Sequence, residues 1–167
     1  MAYGNIVRSA TDTLVERLRG STGLPYTVTA VARRENRTLS EIPPERVYCR
    51  FAPAEVVEKT SSDKYPTVQV GCERLINNFK AKFCRFSGAA RLFIEIRVFN
   101  TRLQLLGEDL ELYVDAVIEV LDGSRGDWGG GMQYGGSYEV AVAPVKQSAG
   151  GYLQSARVVV DLDVSID

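Results

Sequence analysis

Residues 91–99 read RLFIEIRVF, and their reading decides the fold. Along an extended chain Leu92, Ile94, Ile96 and Val98 point one way and Arg91, Phe93, Glu95, Arg97 and Phe99 the other, because successive strand side chains alternate between faces. The first set predicts a core-facing surface. The same period returns in residues 154–166, where Val158, Val160, Leu162, Val164 and Ile166 share a side opposite Arg157, Val159, Asp161, Asp163 and Ser165.

Shorter extended stretches surround these two. LPYTVTAVA (residues 24–32) has β-branched residues in near alternation and reads as a strand, as do residues 47–51, YPTVQVGC (65–72) and 138–145. Pro66 suits the start of its strand. Residues 73–86 fit either a short helix or a twisted strand. Residues 6–19 repeat Ile6, Ala10, Leu14 and Leu18 after a capping Asn5 and before Gly20, which predicts an amphipathic helix. A second helix is predicted over 108–122, with Glu108, Asp109 and Glu111 near its positive end and Gly123 after it. Residues 33–46, RRENRTLSEIPPER, read as a loop or arm, KTSSDK (59–64) as an exposed turn, and GSRGDWGGGMQYGG (123–136) as a glycine-rich loop. The expected fold is α+β, a mostly antiparallel sheet with two main helices packed on one face. Its organisation is a single domain over 1–167 with an extended arm or insert at about 24–64.

Composition narrows the function classes. The 167 residues are 45% hydrophobic and 25% charged, with a net charge of −1, which predicts a folded chain without the basic field of a sequence-independent nucleic-acid binder. No apolar run approaches the ~18 residues of a membrane helix, and the opening MAYGNIVRSATDTL lacks a signal-peptide pattern, so a cytoplasm-like site of synthesis is expected. Cys49, Cys72 and Cys84 form no CxxC pair and read as buried free thiols, giving neither a disulfide framework nor a zinc site. The net charge conceals a division: residues 1–90 carry +5 and residues 91–167 carry −6.

No catalytic, cofactor or metal residues are assigned. The chain has no histidine, which removes the commonest general base and any Ser-His or Cys-His dyad. The glycine-rich loop has no GxxxxGK[ST] and no lysine, and it leads into a strand where a phosphate loop opens a helix. Asp161 and Asp163 share a strand face at a spacing compatible with a hard cation, but solvated face charges, or partners for Arg91 and Arg97 on a neighbouring strand, are the favoured readings.

The second helix points instead to protein partners. At 100° per residue, Glu111, Asp115, Glu119 and Asp122 form a stripe about 80° wide with no basic residue inside the helix to relieve it. The apolar residues, Leu112, Ala116 and Val120 among them, span about 240°, against the ~100° that one sheet face requires. The surplus is covered either by this chain or by another subunit. An acidic stripe beside extra apolar surface, with arginines at Arg33, Arg34 and Arg37, fits a head-to-tail contact that closes into a ring. Trp128, Met132 and Tyr134, on glycine supports, are further candidate partner contacts.

The order of elements resembles the tail-terminator family of long-tailed bacteriophages. The resemblance rests on TDTLVERLRG, YPTVQV, RLFIEIRVF, EDLELYVDAVIEVL, YEVAVAPV and ARVVVDLDVSI, and covers most of residues 5–21 and 65–166. It implies a structural virion protein without enzymatic activity or cofactor, assembled in the host cytoplasm. Its partners would be itself as a hexameric ring, the tail-tube protein it caps and the head-tail connector it joins, with no membrane and no sequence-specific nucleic acid, DNA passing through the ring. Another neck or connector component is the alternative, and a small-ligand or metal-binding domain a more distant one.

Overall fold

The computed structural model describes residues 4–49 and 65–167. In chain order the elements are α1 (Gly4–Arg19), α2 (Leu24–Arg34), a single 3-10 turn (Pro44–Arg46), β1 (Val47–Tyr48), β2 (Thr67–Asn77), β3 (Phe86–Asn100), α3 (Leu103–Asp122), β4 (Gly126–Gly129), β5 (Met132–Val142), β6 (Lys146–Ser148) and β7 (Gly151–Ile166). The two alternating stretches become the central strands. β3 and β7 pair antiparallel along their whole length, from Phe86 opposite Ile166 to Asn100 opposite Tyr152. The strand order is β1-β2-β3-β7-β5-β4, with β6 folded back on the start of β7.

The sheet is mixed, which corrects the expectation of a mostly antiparallel one. β1 runs parallel to β2, pairing Val47 with Val68 and Tyr48 with Gln69, while the other pairs are antiparallel. Parallel neighbours need a long connection, and the residues between Tyr48 and Thr67 supply its length.

Three helices, not two, occur among the described residues. Residues 24–32, expected as a strand, belong to α2. Leu24, Thr27, Val28 and Val31 are buried, the i, i+3, i+4, i+7 spacing of a helix face, and Pro25 sits in the first turn where no amide partner is needed. The β-branched residues gave a weak preference that packing overrode. α2 follows α1 through the turn GSTG at 20–23, where the Gly23 N–H donates to the Gly20 carbonyl at 2.9 Å. A Cβ on Gly23 would lie 2.4 Å from the Leu18 carbonyl oxygen, so glycine allows the close return.

α1 buries Ile6, Ala10, Leu14 and Leu18 as its period predicted, although Asn5 lies inside the helix and does not cap it. α3 begins at Leu103, five residues before the expected start, with Arg102 at its N-cap and the Arg102 N–H donating to Asn100 Oδ1 at 2.9 Å. Glu108, Asp109 and Glu111 therefore lie beyond its first turn. α3 packs on β3 and β7, α1 on β1, β2 and β3, and α2 chiefly on α3. Their buried side chains join Leu92, Ile94, Ile96, Val158, Val160 and Leu162 in one contiguous core.

Residues 33–46 do not form an arm. Arg33 and Arg34 finish α2, Ile42 is fully buried, and the Tyr113 hydroxyl donates to the Ser40 carbonyl at 2.7 Å. The expected turn at 59–64 lies outside the described residues. The glycine-rich segment is a hairpin of β4 and β5 whose Gly129, Gly130 and Gly131 have positive φ. Its tip is fastened to β7, the Ser165 N–H donating to the Gly131 carbonyl at 2.9 Å. Residues 73–86 are neither a helix nor all strand: β2 continues to Asn77 and a loop follows.

A helical α2 makes a prediction that a strand would not. Val28→Ala and Val31→Ala should each lower stability by about 1–3 kcal/mol, whereas Thr29→Ala, on the exposed side, should stay within ~0.5 kcal/mol of the parent. Urea denaturation midpoints at constant m-value measure the difference.

Candidate assembly surfaces

The interface candidates separate into those the chain uses internally and those it leaves exposed. Arg34 reaches Glu119 at 2.6 Å, and Arg37 bridges Glu108 and, at 3.2 Å, Asp109. Asp122 meets Arg125, just beyond the helix end, at 2.7 Å. Arg34 and Arg37 therefore join the end of α2 and the segment after it to α3, while Asp122 is paired locally, three residues away. Arg33, Glu111 and Asp115 are exposed, and Glu111 and Asp115 have no ion pair among the described residues.

The oversized apolar arc of α3 is covered from within. Ala116 and Val120 are buried, Leu112 is half-buried against the core, and α2 lies over the surplus. Trp128, Met132 and Tyr134 also belong to the core, which corrects their expected role as partner contacts. The Trp128 Nε1–H donates to the Ser124 carbonyl at 2.7 Å, the Tyr134 ring lies 5.5 Å away, and the Arg17 guanidinium sits 4.9 Å over the indole. Arg17 and Trp128, with Thr13, Glu16, Glu119 and Val120, border a cleft of about 700 Å³ between α1 and the end of α3.

The sheet face away from the helices carries ion pairs across four strands. Arg91 reaches Glu139 at 2.7 Å, Asp161 at 3.6 Å and Glu73 at 3.7 Å, and Arg157 reaches Glu73 at 2.6 Å and Glu95 at 3.0 Å. Arg97 pairs with Glu95 at 2.8 Å. The expected partnership of Asp161 with Arg91 is present, whereas Arg97 is directed to Glu95, two residues away on its own strand. Asp163 stands opposite Ala89, and among the described residues no three His, Cys, Asp or Glu side chains gather as metal ligands. The cysteines are free but not buried: Cys49 is exposed, and Cys72 and Cys84 are half-buried, burial raising the Cys72 thiol pKa.

Two exposed features were not among the expected sites. The outer half of β5 carries Tyr138, Val140 and Val142, 39%, 41% and 58% exposed. Their register partners on β7, Val160, Val158 and Ala156, are buried. Directly opposed residues share a face, so the apolar core surface continues past the helices onto an uncovered strand. β4 pairs with β5 only from Met132 to Tyr134, which leaves the outer backbone edge of residues 138–142 without a neighbouring strand among the described residues. The sequence YEVAVAPV displayed the alternation, but not that the strand stands at an edge.

The second feature is the β2–β3 loop, NFKAKFCR at 78–85, which holds Phe79 67% exposed and Phe83 fully exposed. Both have left-handed backbone, φ 49° and 75°, uncommon for bulky residues. No protein-family model matches the chain, and a search of curated proteins returns no significant relative.

Asp109 links the segment after α2 to α3, accepting from Arg37 and from the Asn100 amide at 3.2 Å. Burial raises its pKa and outweighs the lowering by Asn100 and Arg37. A carboxyl raised on folding favours the native state below its unfolded value, and that contribution is lost as pH rises through the raised native value. Asp109→Asn should therefore flatten the stability profile in the window just above the ordinary carboxylate value of 3.8. Urea denaturation series across that window, parent against variant, test it.

Proposed function

We propose that this chain is a structural subunit that closes head-to-tail into a ring, and that the ring is the tail terminator of a long-tailed bacteriophage. In that role a hexamer caps the tail tube at its final length and offers the surface to which the head connector joins. The observation that carries the assembly reading is the uncovered half of β5. An edge strand with open hydrogen-bonding groups and exposed apolar side chains is a template for another chain, and proteins that remain single blunt such edges with charge, proline or a covering segment. Here Tyr138, Val140 and Val142 extend the core surface outward, and Val145 beyond them is also exposed. The placement in a phage tail is supported by the order of elements, the long central strands and the helix after β3.

The purified chain should give six-fold rings in negative-stain images, alone or on the ends of tail tubes assembled in its presence. Val140→Lys with Val142→Lys should weaken assembly about tenfold or more, since it places charge in a desolvated contact, while leaving the melting temperature within a few degrees. A monomer at high concentration and physiological salt that also fails to bind tube ends would end the ring reading.

A further inference from the structure

Between Glu73 and Glu95 the chain has no acidic residue, while Arg74, Lys80, Lys82, Arg85 and Arg91 fall within the interval. Its middle is the 78–85 loop. Lys80 and Lys82 are exposed and have no ion-pair partner among the described residues. With them stand Phe79, Phe83 and, at the end of β2, the exposed Ile76. The loop is braced from inside. Asn77 Oδ1 accepts from the Phe79 and Ser87 amides at 3.4 and 3.2 Å, Ser87 Oγ accepts from the Ala81 amide at 3.0 Å, and the Asn78 amide donates to the Ser87 carbonyl at 3.0 Å. Two phenylalanines in left-handed conformation cost free energy that no burial of their own rings offsets, and strain of this kind is retained where the surroundings impose it for a purpose. The sequence from 73 to 86 was compatible with helix or strand, so this presentation was not legible before the fold.

We infer that this loop is a docking element for a second copy of the chain, seated on the outer face of α3 around Glu111 and Asp115. This rests on the ring reading and names a second contact in it. The argument is charge complementarity. Of the four carboxylates in the α3 stripe, Glu119 and Asp122 are neutralised within the chain by Arg34 and Arg125, while Glu111 and Asp115, one helical turn apart, are left exposed. Lys80 and Lys82 are exposed cations that stand beside exposed apolar side chains, and the phenylalanines and Ile76 supply the apolar area that gives such a contact its strength. The two surfaces are different parts of the molecule, so the contact is heterologous and propagates as a ring or filament.

The other partners that basic and aromatic residues serve fit less well. Nucleic-acid binding draws on an extended basic field, often 6–10 phosphate contacts, and this chain has net charge −1. Lipid-headgroup binding uses clusters of about 4–8 basic residues, whereas the loop at 78–85 has Lys80, Lys82 and Arg85, with Asp167 held close at 3.3 Å from the Cys84 sulfur.

A charge exchange tests the inference. Lys80→Glu with Lys82→Glu, and separately Glu111→Lys with Asp115→Lys, should each weaken self-association about tenfold or more in sedimentation velocity, with unchanged circular dichroism and melting. All four substitutions together should restore it, and the parent's association should weaken with added salt. Phe79→Ser with Phe83→Ser should weaken association at every salt concentration. If the parent forms rings and both charge doubles still form them, the loop contact is wrong and the ring reading stands. If both doubles weaken assembly but the fourfold variant does not recover, the lysines and carboxylates do not face each other and the inference is lost. A parent that stays monomeric, with loop-dependent binding to duplex DNA or to anionic phosphatidylserine vesicles, would overturn it in favour of that ligand.

Discussion

The antiparallel ladder between β3 and β7 places everything else. These strands carry the strongest alternation in the chain and pair without interruption over fifteen residue positions. Their apolar sides form the floor on which α3 packs, α1 lies beside it over β1, β2 and the neighbouring side of β3, and α2 is positioned through α3. Their outer edges receive β2 and β5, so the ends of the sheet are defined by what the ladder leaves over. Each later feature, the short parallel β1, the glycine hairpin at the end of β7 and the uncovered half of β5, is a consequence of how far the neighbours extend along this pair.

Where the period was long and regular, the fold was legible in the sequence. Val158, Val160, Leu162 and Val164 are buried while Asp161 and Asp163 are exposed, and Ile6, Ala10, Leu14 and Leu18 face the core. Residues 24–32 fit both periods, because Thr27, Thr29 and Val31 alternate as a strand does, while the helical set Leu24, Thr27, Val28 and Val31 occupies the same nine positions. Of the two covers open to the apolar arc of α3, this chain or another subunit, α2 supplies the first, and it brings Arg34 to Glu119 of the acidic stripe while Glu111 and Asp115 stay without an ion pair among the described residues.

The candidate sites fared according to whether they depended on tertiary placement. Glu111 and Asp115 are exposed because they lie on the far side of α3, which the helical wheel could show. Trp128, Met132 and Tyr134 are buried because glycines at 129–131 let the hairpin fold back onto the end of β7, which composition could not show. The edge of β5 and the braced loop at 78–85 arise from strand order and from a turn. In neither case does the local sequence announce exposure.

The charged face of the sheet answers a question that its apolar face leaves open. A slip of two residues between β3 and β7 would keep the core-facing set, Leu92, Ile94, Ile96, Val158, Val160 and Leu162, on the core side, so hydrophobic patterning tolerates it. In the observed alignment Glu95 stands opposite Arg157 and Arg91 opposite Asp161. Two steps in one direction set Arg157 against Arg97, and two in the other set it against Phe93. Each opposed pair is worth only ~0.2–1 kcal/mol; the first slip exchanges the Glu95–Arg157 pair for two opposed arginines while setting Arg91 against Asp163, and the second loses both pairs. The apolar residues choose the side on which the sheet folds, and the arginines and carboxylates count the residues.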